Sequence, residues 1–550
     1  MQQTLGQYLI NDALPEEHRS NDLLGKAALT KKLLSLARED PVAYVDIVTK
    51  LKHIGDTVST LEGVTIGLDD ITPSYVDRAK ILDPAKRELA GAKTYEEKEK
   101  IILRVQEEMT KHTVSHPGSM TQMALSGDRG NVPQLMKIVS SPVAAIDNKG
   151  KITPWLISRS YAEGLTAADY WVTGNEARMN TVNTQMSVSA PGDLAKIMVN
   201  NLYPMIVTKE DCGTHNGIAM ASTDHHILDR YLSKTQGGFK HNDLVTDKVA
   251  AVLKEKVPLV YVRSALTCAA HEGVCQKCQG IDEKGHPHNI GVNVGVRAAQ
   301  ALAEPLTQFA LNAKHGVRVL KGATPTLEGL AGIRQLLEVP QSFVNKATLA
   351  EHAGAITQII VAPHGGHYVH VGDTEHYVSP NLKVKVHLGQ IVEAGDVLSE
   401  GVPKPDELVF HKGFGAGRQY LVDALHGTYV GAGSNVDKRH LELVARADLS
   451  HVRILEHAKE HPELLKGEVV SYNEYRDSVV GKTKSIPARE AEGRLLGKET
   501  LHFTVGTLIT PSIIRTLHEH QIDKVDVSET APRVEFLMRP MTRNPLLNPD

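Results

Sequence analysis

Leu, Lys and Glu recur at helical spacing over residues 22–110 and are broken once, at VTIGLDDITP, so the pattern predicts helices folded around a turn. A second helical pattern covers 163–200 and a third 291–338, the latter interrupted by a polar section containing glycine. Over 355–402 the period changes to short alternating runs, QIIVAP, HYVHV, KVKVHL and DVLSEG, which predict a small β domain. Mixed helices return after Pro405. Two stretches echo each other, NDLVTDKVAAVLKEKVPLVYVRS (242–264) and GTLITPSIIRTLHEHQIDKVDVS (506–528). Each reads as a strand, a Thr cap (Thr246, Thr510), an amphipathic helix and a second strand, with Pro511 in the first turn of the later helix. Both are expected to be small β-α-β units that carry structure rather than chemistry. The pattern as a whole is that of an α+β, multidomain chain. Its 550 residues exceed what one hydrophobic core serves, so three or more lobes are expected.

Composition changes this picture little. No run of about 18 apolar residues occurs, and MQQTLGQYLINDALPEEHRS has neither a basic start nor an apolar centre, so no membrane or signal segment is expected and the address is cytoplasmic. A formal net charge of -4 argues against holding nucleic acid by bulk positive charge, while leaving room for local basic patches.

The cysteines change it more. There are four, Cys212 in EDCGT and Cys268, Cys275 and Cys278 spaced C-x6-C-x2-C in LTCAAHEGVCQKCQG. A thiolate quartet suits tetrahedral zinc, and Gly273 and Gly280 let the backbone fold back on the ion. The alternatives are buried free thiols or disulfides, the latter disfavoured in a cytoplasmic chain. Four protein ligands leave no open position, which makes the zinc structural and has it stitch the Cys212 region to the 268–278 loop.

Other features invite blander readings. Asp69 and Asp70 are adjacent, do not share a face, and read as a turn or cap. KGFGAGRQ (412–419) lacks the Lys-Ser/Thr ending of a phosphate loop and reads as a domain turn. HLGQIVEAGDVLSEG (387–401) is like the hairpin edge of lipoyl or biotinyl carriers but has no lysine at a tip, which favours a barrel-sandwich scaffold. His457 and His461 lie one helical turn apart and read as a solvated helix face.

Three stretches carry a resemblance. SMTQMALSGDRGN, YAEGLTAADYWVTGNEARMN and VTKEDCGT follow one another between 119 and 215; VRSALTCAAHEGVCQKCQG and GVNVGVRAAQALAEPLTQFALNAKHG follow from 262; and GLAGIRQLLEV, RQYLVDALHGTYVGAGSNVDKRHLELVAR and RLLGKETL close the series. In this order they resemble the beta-prime subunit of bacterial-type multisubunit RNA polymerases, whose motif GxxVGxxAAQSxGEPxTQLTMRTFH the second series approximates. The likeness runs over roughly 55–500 and is strongest over 119–340. The cysteine spacing is similar to the family's second zinc site.

The resemblance implies a division of the chain. Residues 1–110 would form a helical rim or secondary-channel region, 111–162 a segment lining the active site, 163–200 a bridge helix and 201–290 the zinc region. A trigger loop would follow over 291–340, the barrel-sandwich segment over 341–404, a helical clamp- or jaw-related region over 405–500, and a β-α-β unit with a tail over 501–550. A helix over 165–199 would be ~50 Å long at ~1.5 Å per residue. On it, Arg178 is the residue expected nearest substrate or nucleic acid, since a guanidinium forks onto phosphate oxygens. Val188-Ser189 and Ala190-Pro191-Gly192 depart from the family's Thr-Ala and Asp-Ser-Gly. Either a kink or break near 189–192, or one helix ending there with Asp193 in the first turn of the next, is expected.

In the trigger loop, Gln308, Leu311, Asn312 and His315 share a helical face. The resemblance sets His315 near the nucleotide triphosphate, where it would position phosphates or give a proton to the leaving pyrophosphate. Leu311 stands for the family's Met and would pack on the incoming base; Asn312 stands for its Arg, so one charge is absent. Gly316, Gly322 and Gly329 would supply a flexible tip.

The family's metal-binding NADFDGD motif is missing, as is any Asp-x-Asp, although two-metal nucleotidyl transfer needs closely spaced carboxylates. The Mg2+ ions are therefore expected on a partner, an N-terminal beta-prime-like chain, with one or more beta-like chains, a promoter-specificity subunit, DNA template, nascent RNA and nucleoside triphosphates as further partners and no membrane. The chain then reads as the C-terminal piece of a split subunit, inactive alone. Its trigger helices are separated by only about ten residues, which points to a giant bacteriophage enzyme, working in the host cytoplasm or carried in the virion. The rival reading is a non-catalytic, zinc-stabilised nucleic-acid-binding scaffold derived from such a subunit.

Overall fold

The computed structural model describes residues 4–543 apart from 23, 63–65, 74, 116–117, 128, 148–150, 187–188, 313–328, 457–459 and 481–482. The chain divides into two compact units, Met1–Met186 and Ser187–Asp550.

The first unit is helical: α1 Leu5–Ala13, α2 Lys26–Glu39, α3 Pro41–Glu62, α4 Tyr75–Gly91, α5 Tyr95–Val114, α6 Ser119–Ser126, α7 Val132–Leu135 and α8 Ala167–Met186. Thr94 and Glu97 form a reciprocal capping box that starts α5. Leu82 and Ala85 of α4 then meet Ile102, Val105 and Met109 of α5 in a core closed by Met136, Val143 and Ile152. The predicted turn between the helix pairs is present, and Asp70 is spent on it: its carboxylate accepts from Gly67 N (2.9 Å) and Ser119 N (3.3 Å). Buried Arg78 donates to Ser140 O (2.7 Å) and forks onto Glu163, which brings the chain before α8 back onto α4. Hydrogen bonding from Arg78 pulls the Glu163 carboxyl down to about 2.

The second unit holds α9 Ser189–Leu202, β1 Val207–Lys209, β2 Ile218–Ala221, α10 Asp247–Lys256, β3 Leu259–Val262, β4 Val274–Cys275, α11 Gln276–Gln279, α12 Val294–Asn312 and α13 Gly329–Glu338. Next come β5 Gly354–Val361, β6 His367–Val371, β7 Thr374–Val378 and β8 Ile391–Val392. The chain continues through α14 Pro405–Gly431, α15 Lys438–Asp448, β9 His451–Ile454, β10 Val469–Ser471, α16 Tyr472–Val479, β11 Lys484–Pro487, β12 Leu495–Leu496, α17 Pro511–Glu519, β13 Lys524–Ser528 and β14 Val534–Leu537. The α+β, multidomain class expected from the pattern is the one observed.

Its main core joins α9 (Leu194, Met198, Leu202), α12 (Ala298, Leu302, Leu306) and α13 (Ile333, Leu336) to α14 and α15. Pro191 lies within α9, and residues 187–188, where the expected kink or helix end would be decided, are outside the described residues. Asp193 faces Arg334 of α13 at 3.9 Å. The small β domain is an antiparallel sheet ordered β7-β6-β5-β8 over its own core of Ile356, Val369, Val371, Val378 and Val392.

Three readings need correction. KGFGAGRQ is no domain turn: it lies inside α14, where Gly413 takes φ 75° and kinks the helix. Gly415 is required there for packing, since a Cβ would stand 2.5 Å from His502 O. The echoed units keep their Thr caps, helices and second strands, but each leading strand shrinks to single bridges, Tyr231–Leu244 and Leu495–Leu508. The second strands lie in antiparallel sheets, β3 with β2 and β13 between β11 and β12. His461 is buried rather than solvated, with Nδ1 3.2 Å from Ser478 Oγ; His457 lies outside the described residues.

Candidate metal centre

Parallel pairing of β1 with β4 matches Val207 to Val274 and Lys209 to Cys275, and so carries the chain just beyond Lys209 to the cysteine loop. Gly273 permits this approach. It has φ 55°, and a Cβ on it would stand 2.0 Å from Ile206 O, while Val274 N donates to that same carbonyl. Cys275 caps the short α11, accepting at Sγ from Cys278 N (3.4 Å), and Cys275 N donates to Cys268 Sγ (3.4 Å). Gly280, at φ 86°, ends the turn against Asp229 O.

The outcome is that Cys212, Cys268, Cys275 and Cys278 converge, all four sulfurs lying within 4.8 Å of one another. Cys212 and Cys278 are 3.7 Å apart. A tetrahedral ion with Zn–S bonds of ~2.3 Å would hold sulfurs ~3.8 Å apart, so the donor set fits zinc in size, number and chemistry. Hydrogen bonds from Cys268, Cys275 and Cys278 hold the Cys212 thiol far below its usual range, whereas burial pushes Cys278 well above it.

Around the sulfurs lies a set of buried arginines that sequence reading missed. Arg263, fully buried, donates from Nη2 to Cys212 (3.1 Å), Cys278 (3.4 Å) and Cys275 (3.5 Å), and from Nη1 to Asp211 and Asn242 (2.7 Å each). Arg446 of α15 donates to the carbonyls of Ala265 (2.7 Å), Cys268 (2.9 Å) and Ala270 (3.0 Å). Arg418 of α14 reaches Leu266 O (3.1 Å) and Leu449 O (2.6 Å); burial pulls its pKa down to about 10. Arg230 forks onto Glu442 of α15 at 2.9 and 2.6 Å, and Ser264 Oγ donates to the same carboxylate at 2.7 Å. The only local signal was polar residues standing in the apolar stripe of HLELVARAD.

The other sequence-derived residues are placed as follows. Arg178 is exposed on α8, in the first unit. Gln308, Leu311 and Asn312 fall in the last turns of α12. His315, Gly316 and Gly322 lie outside the described residues, and Gly329 opens α13 at φ 55°. The start of α12 is anchored on α9: a Cβ at Gly295 would stand 2.0 Å from Leu202 O and 2.8 Å from Met205 Cβ. Among the described residues, the remaining groups of three ligand-type side chains are Asp224-His225-His226 and Glu17-His18-Glu39. Neither offers the carboxylate set that paired magnesium ions need.

Fold and site together define a multidomain α+β chain in which a cysteine quartet joins two chain segments beside a pair of packed helices. Residues 164–360, which include the quartet and α12, match the family model described as RNA polymerase Rpb1, domain 5. The chain is similar to proteins named DNA-directed RNA polymerase subunit beta'. That of Oceanobacillus iheyensis is 26% identical over 469 residues, covering 78% of this chain and 38% of the relative. That of Cutibacterium acnes is 27% identical over 549 residues (89% and 42%), and that of Clavibacter michiganensis subsp. michiganensis 27% over 555 (91% and 42%). The chain therefore spans about two fifths of the length of these relatives.

Proposed function

We propose that this chain is a beta-prime-type, C-terminal component of a multisubunit DNA-directed RNA polymerase, supplying the bridge helix and trigger loop for template-directed RNA synthesis. The observation that carries the reading is α12: the segment ending in AEPLTQFALN is anchored through Gly295 onto α9, inside the region that matches Rpb1 domain 5. In this proposal α8 and α9 serve as the bridge helix, with Arg178 toward substrate or nucleic acid. Gln308, Leu311, Asn312 and His315 form the trigger face, where His315 positions the triphosphate or gives a proton to the leaving pyrophosphate.

Cys212, Cys268, Cys275 and Cys278 would hold structural zinc, which ties the segment after β1 to the loop before α11. The carboxylates for Mg2+ come from outside these 550 residues, on a partner chain of a split subunit such as giant bacteriophages encode. Beta-like chains, a promoter-specificity subunit, DNA, RNA and nucleoside triphosphates complete the working complex, in the host cytoplasm or virion.

The test is to purify the chain with its native partners and assay template-dependent RNA synthesis beside the isolated chain. The complex should extend RNA with magnesium, the isolated chain should not, and His315→Ala should slow elongation by about 10²–10⁴-fold if it acts in proton transfer. An unchanged elongation rate removes the role of His315. A chain that recruits no partner and supports no synthesis removes the polymerase reading.

A further inference from the structure

Beside the cysteine loop, the buried arginines carry a charge that the fold does not balance. Arg418 of α14, Arg446 of α15 and Arg476 of α16, each at most 8% exposed, line one cavity of about 70 Å³ together with Tyr472, Glu499 and His271. Arg418 makes three bonds to the carbonyls of Leu266 and Leu449, and Arg446 three to those of Ala265, Cys268 and Ala270. Each guanidinium has five N–H donors, so both keep some in reserve. Carbonyls satisfy hydrogen bonds but not charge, and among the described residues neither cation pairs with a carboxylate. Arg476 does have one: its Nε and Nη2 hold Asp477 Oδ1 at 2.8 and 2.7 Å. Glu499, the acidic member of the lining, accepts from the Tyr472 hydroxyl at 2.9 Å. Burial first, then the like charge of Arg446, pulls Arg418 down to about 10, with Arg476 adding to this against Tyr472 and Glu499. Arg418, Arg446 and Arg476 set against Glu499 and Asp477 leave one positive charge over, where an uncompensated charge is costly.

We infer that this cavity is a binding site for one small oxyanion of the phosphate or sulfate class, held by Arg418, Arg446 and Arg476. Its volume exceeds the ~30 Å³ share of a single water by enough to admit such an ion. The anion supplies the missing negative charge and ties α14, α15 and α16 together beside the cysteine loop. His271 is exposed at the rim and marks the way in from solvent. One group opposes binding. Glu499 brings a carboxylate to the same wall, so removing its charge while keeping an acceptor for Tyr472 should tighten the anion. A cavity that holds water alone predicts no such gain.

The experiment is equilibrium dialysis of the full chain against radiolabelled inorganic phosphate, with ionic strength held constant by chloride. The wild type should bind one equivalent saturably, and sulfate should displace it. Arg476→Gln, which spares the carbonyl bonds of Arg418 and Arg446, should weaken binding about ten-fold or more. Glu499→Gln should tighten it about three-fold or more. Melting curves without phosphate show that each variant is folded; if Arg476→Gln is not, the opposite sign expected of Glu499→Gln carries the test. An alkyl phosphate that competes as well as sulfate assigns the anion to a phosphate group on a larger molecule entering past His271, and one that does not assigns it to the free ion. No saturable equivalent in the wild type overturns the inference. So does equal affinity in the wild type and Glu499→Gln, which marks an adventitious ion only.

Discussion

Glu442→Gln tests whether charge pairing inside the second unit holds the cysteine loop in place. The Glu442 carboxylate accepts two bonds from Arg230 and one from Ser264, and the Arg230 and Glu442 side chains are only 1% and 2% exposed. Glutamine keeps the shape but removes the negative charge, and it turns an amide donor toward a guanidinium that has no route to water. Breaking a buried pair from one side costs about 3–5 kcal/mol, mostly as the uncompensated charge left behind. Ser264 adjoins Arg263 and stands four residues before Cys268, so the loss should appear as local opening of the loop. At about 1.4 kcal/mol per factor of ten, opening should become about 100- to 4000-fold more frequent. Thiol labelling of the metal-free protein under native conditions reads this directly, with Cys268 and Cys278, both buried, as reporters. The double variant Arg230→Met/Glu442→Leu removes both charges and should return labelling to near the wild-type rate. If Glu442→Gln labels within about three-fold of wild type, the pair does not hold the loop. If the double variant is as labile as the single one, packing rather than charge is responsible.

Gly295→Ala sets a methyl group against Leu202 O and should force α12 off α9 at a cost of about 1–3 kcal/mol; limited proteolysis across 291–312 should quicken. Burial holds His451 and His502 down to about 4, against about 6.5 in the unfolded chain. Since the unfolded state binds the extra protons, this contribution is full above pH ~6.5 and is lost as pH falls toward 4. Melting temperature should therefore drop between pH 7 and pH 5, and His451→Gln/His502→Gln should flatten that slope.

What the sequence disclosed, and what it concealed, divides by the distance between partners along the chain. Thr246 and Thr510 were legible as caps because a cap's partner is three residues away. The knuckle Cys275-x2-Cys278 was legible for the same reason, and the β domain through an alternation contained within each strand. Gly413 misled because a kink inside a long helix and a turn between domains need the same residue; only the packing of Gly415 on His502 distinguishes them. The arginines were invisible because their partners lie far away: Arg446 finds Cys268 O across 178 residues and Arg230 finds Glu442 across 212. A buried guanidinium and a solvated one look alike until the fold assigns the carbonyls or carboxylate that satisfy it.

Cys212 is the instructive intermediate, being 51 residues from Arg263 and 66 from Cys278 yet legible as a member of the quartet. No local pattern marks it. It could be grouped with the other three because a tetrahedral thiolate site needs four donors and the composition offered a fourth thiol at one position only. Histidine gives no such closure: with 27 in the chain, the meeting of His226 with His426 is a product of the fold, found by geometry and not by counting. Stoichiometry thus groups residues from sequence when their type is scarce, and where the type is common only the convergence of distant elements does so.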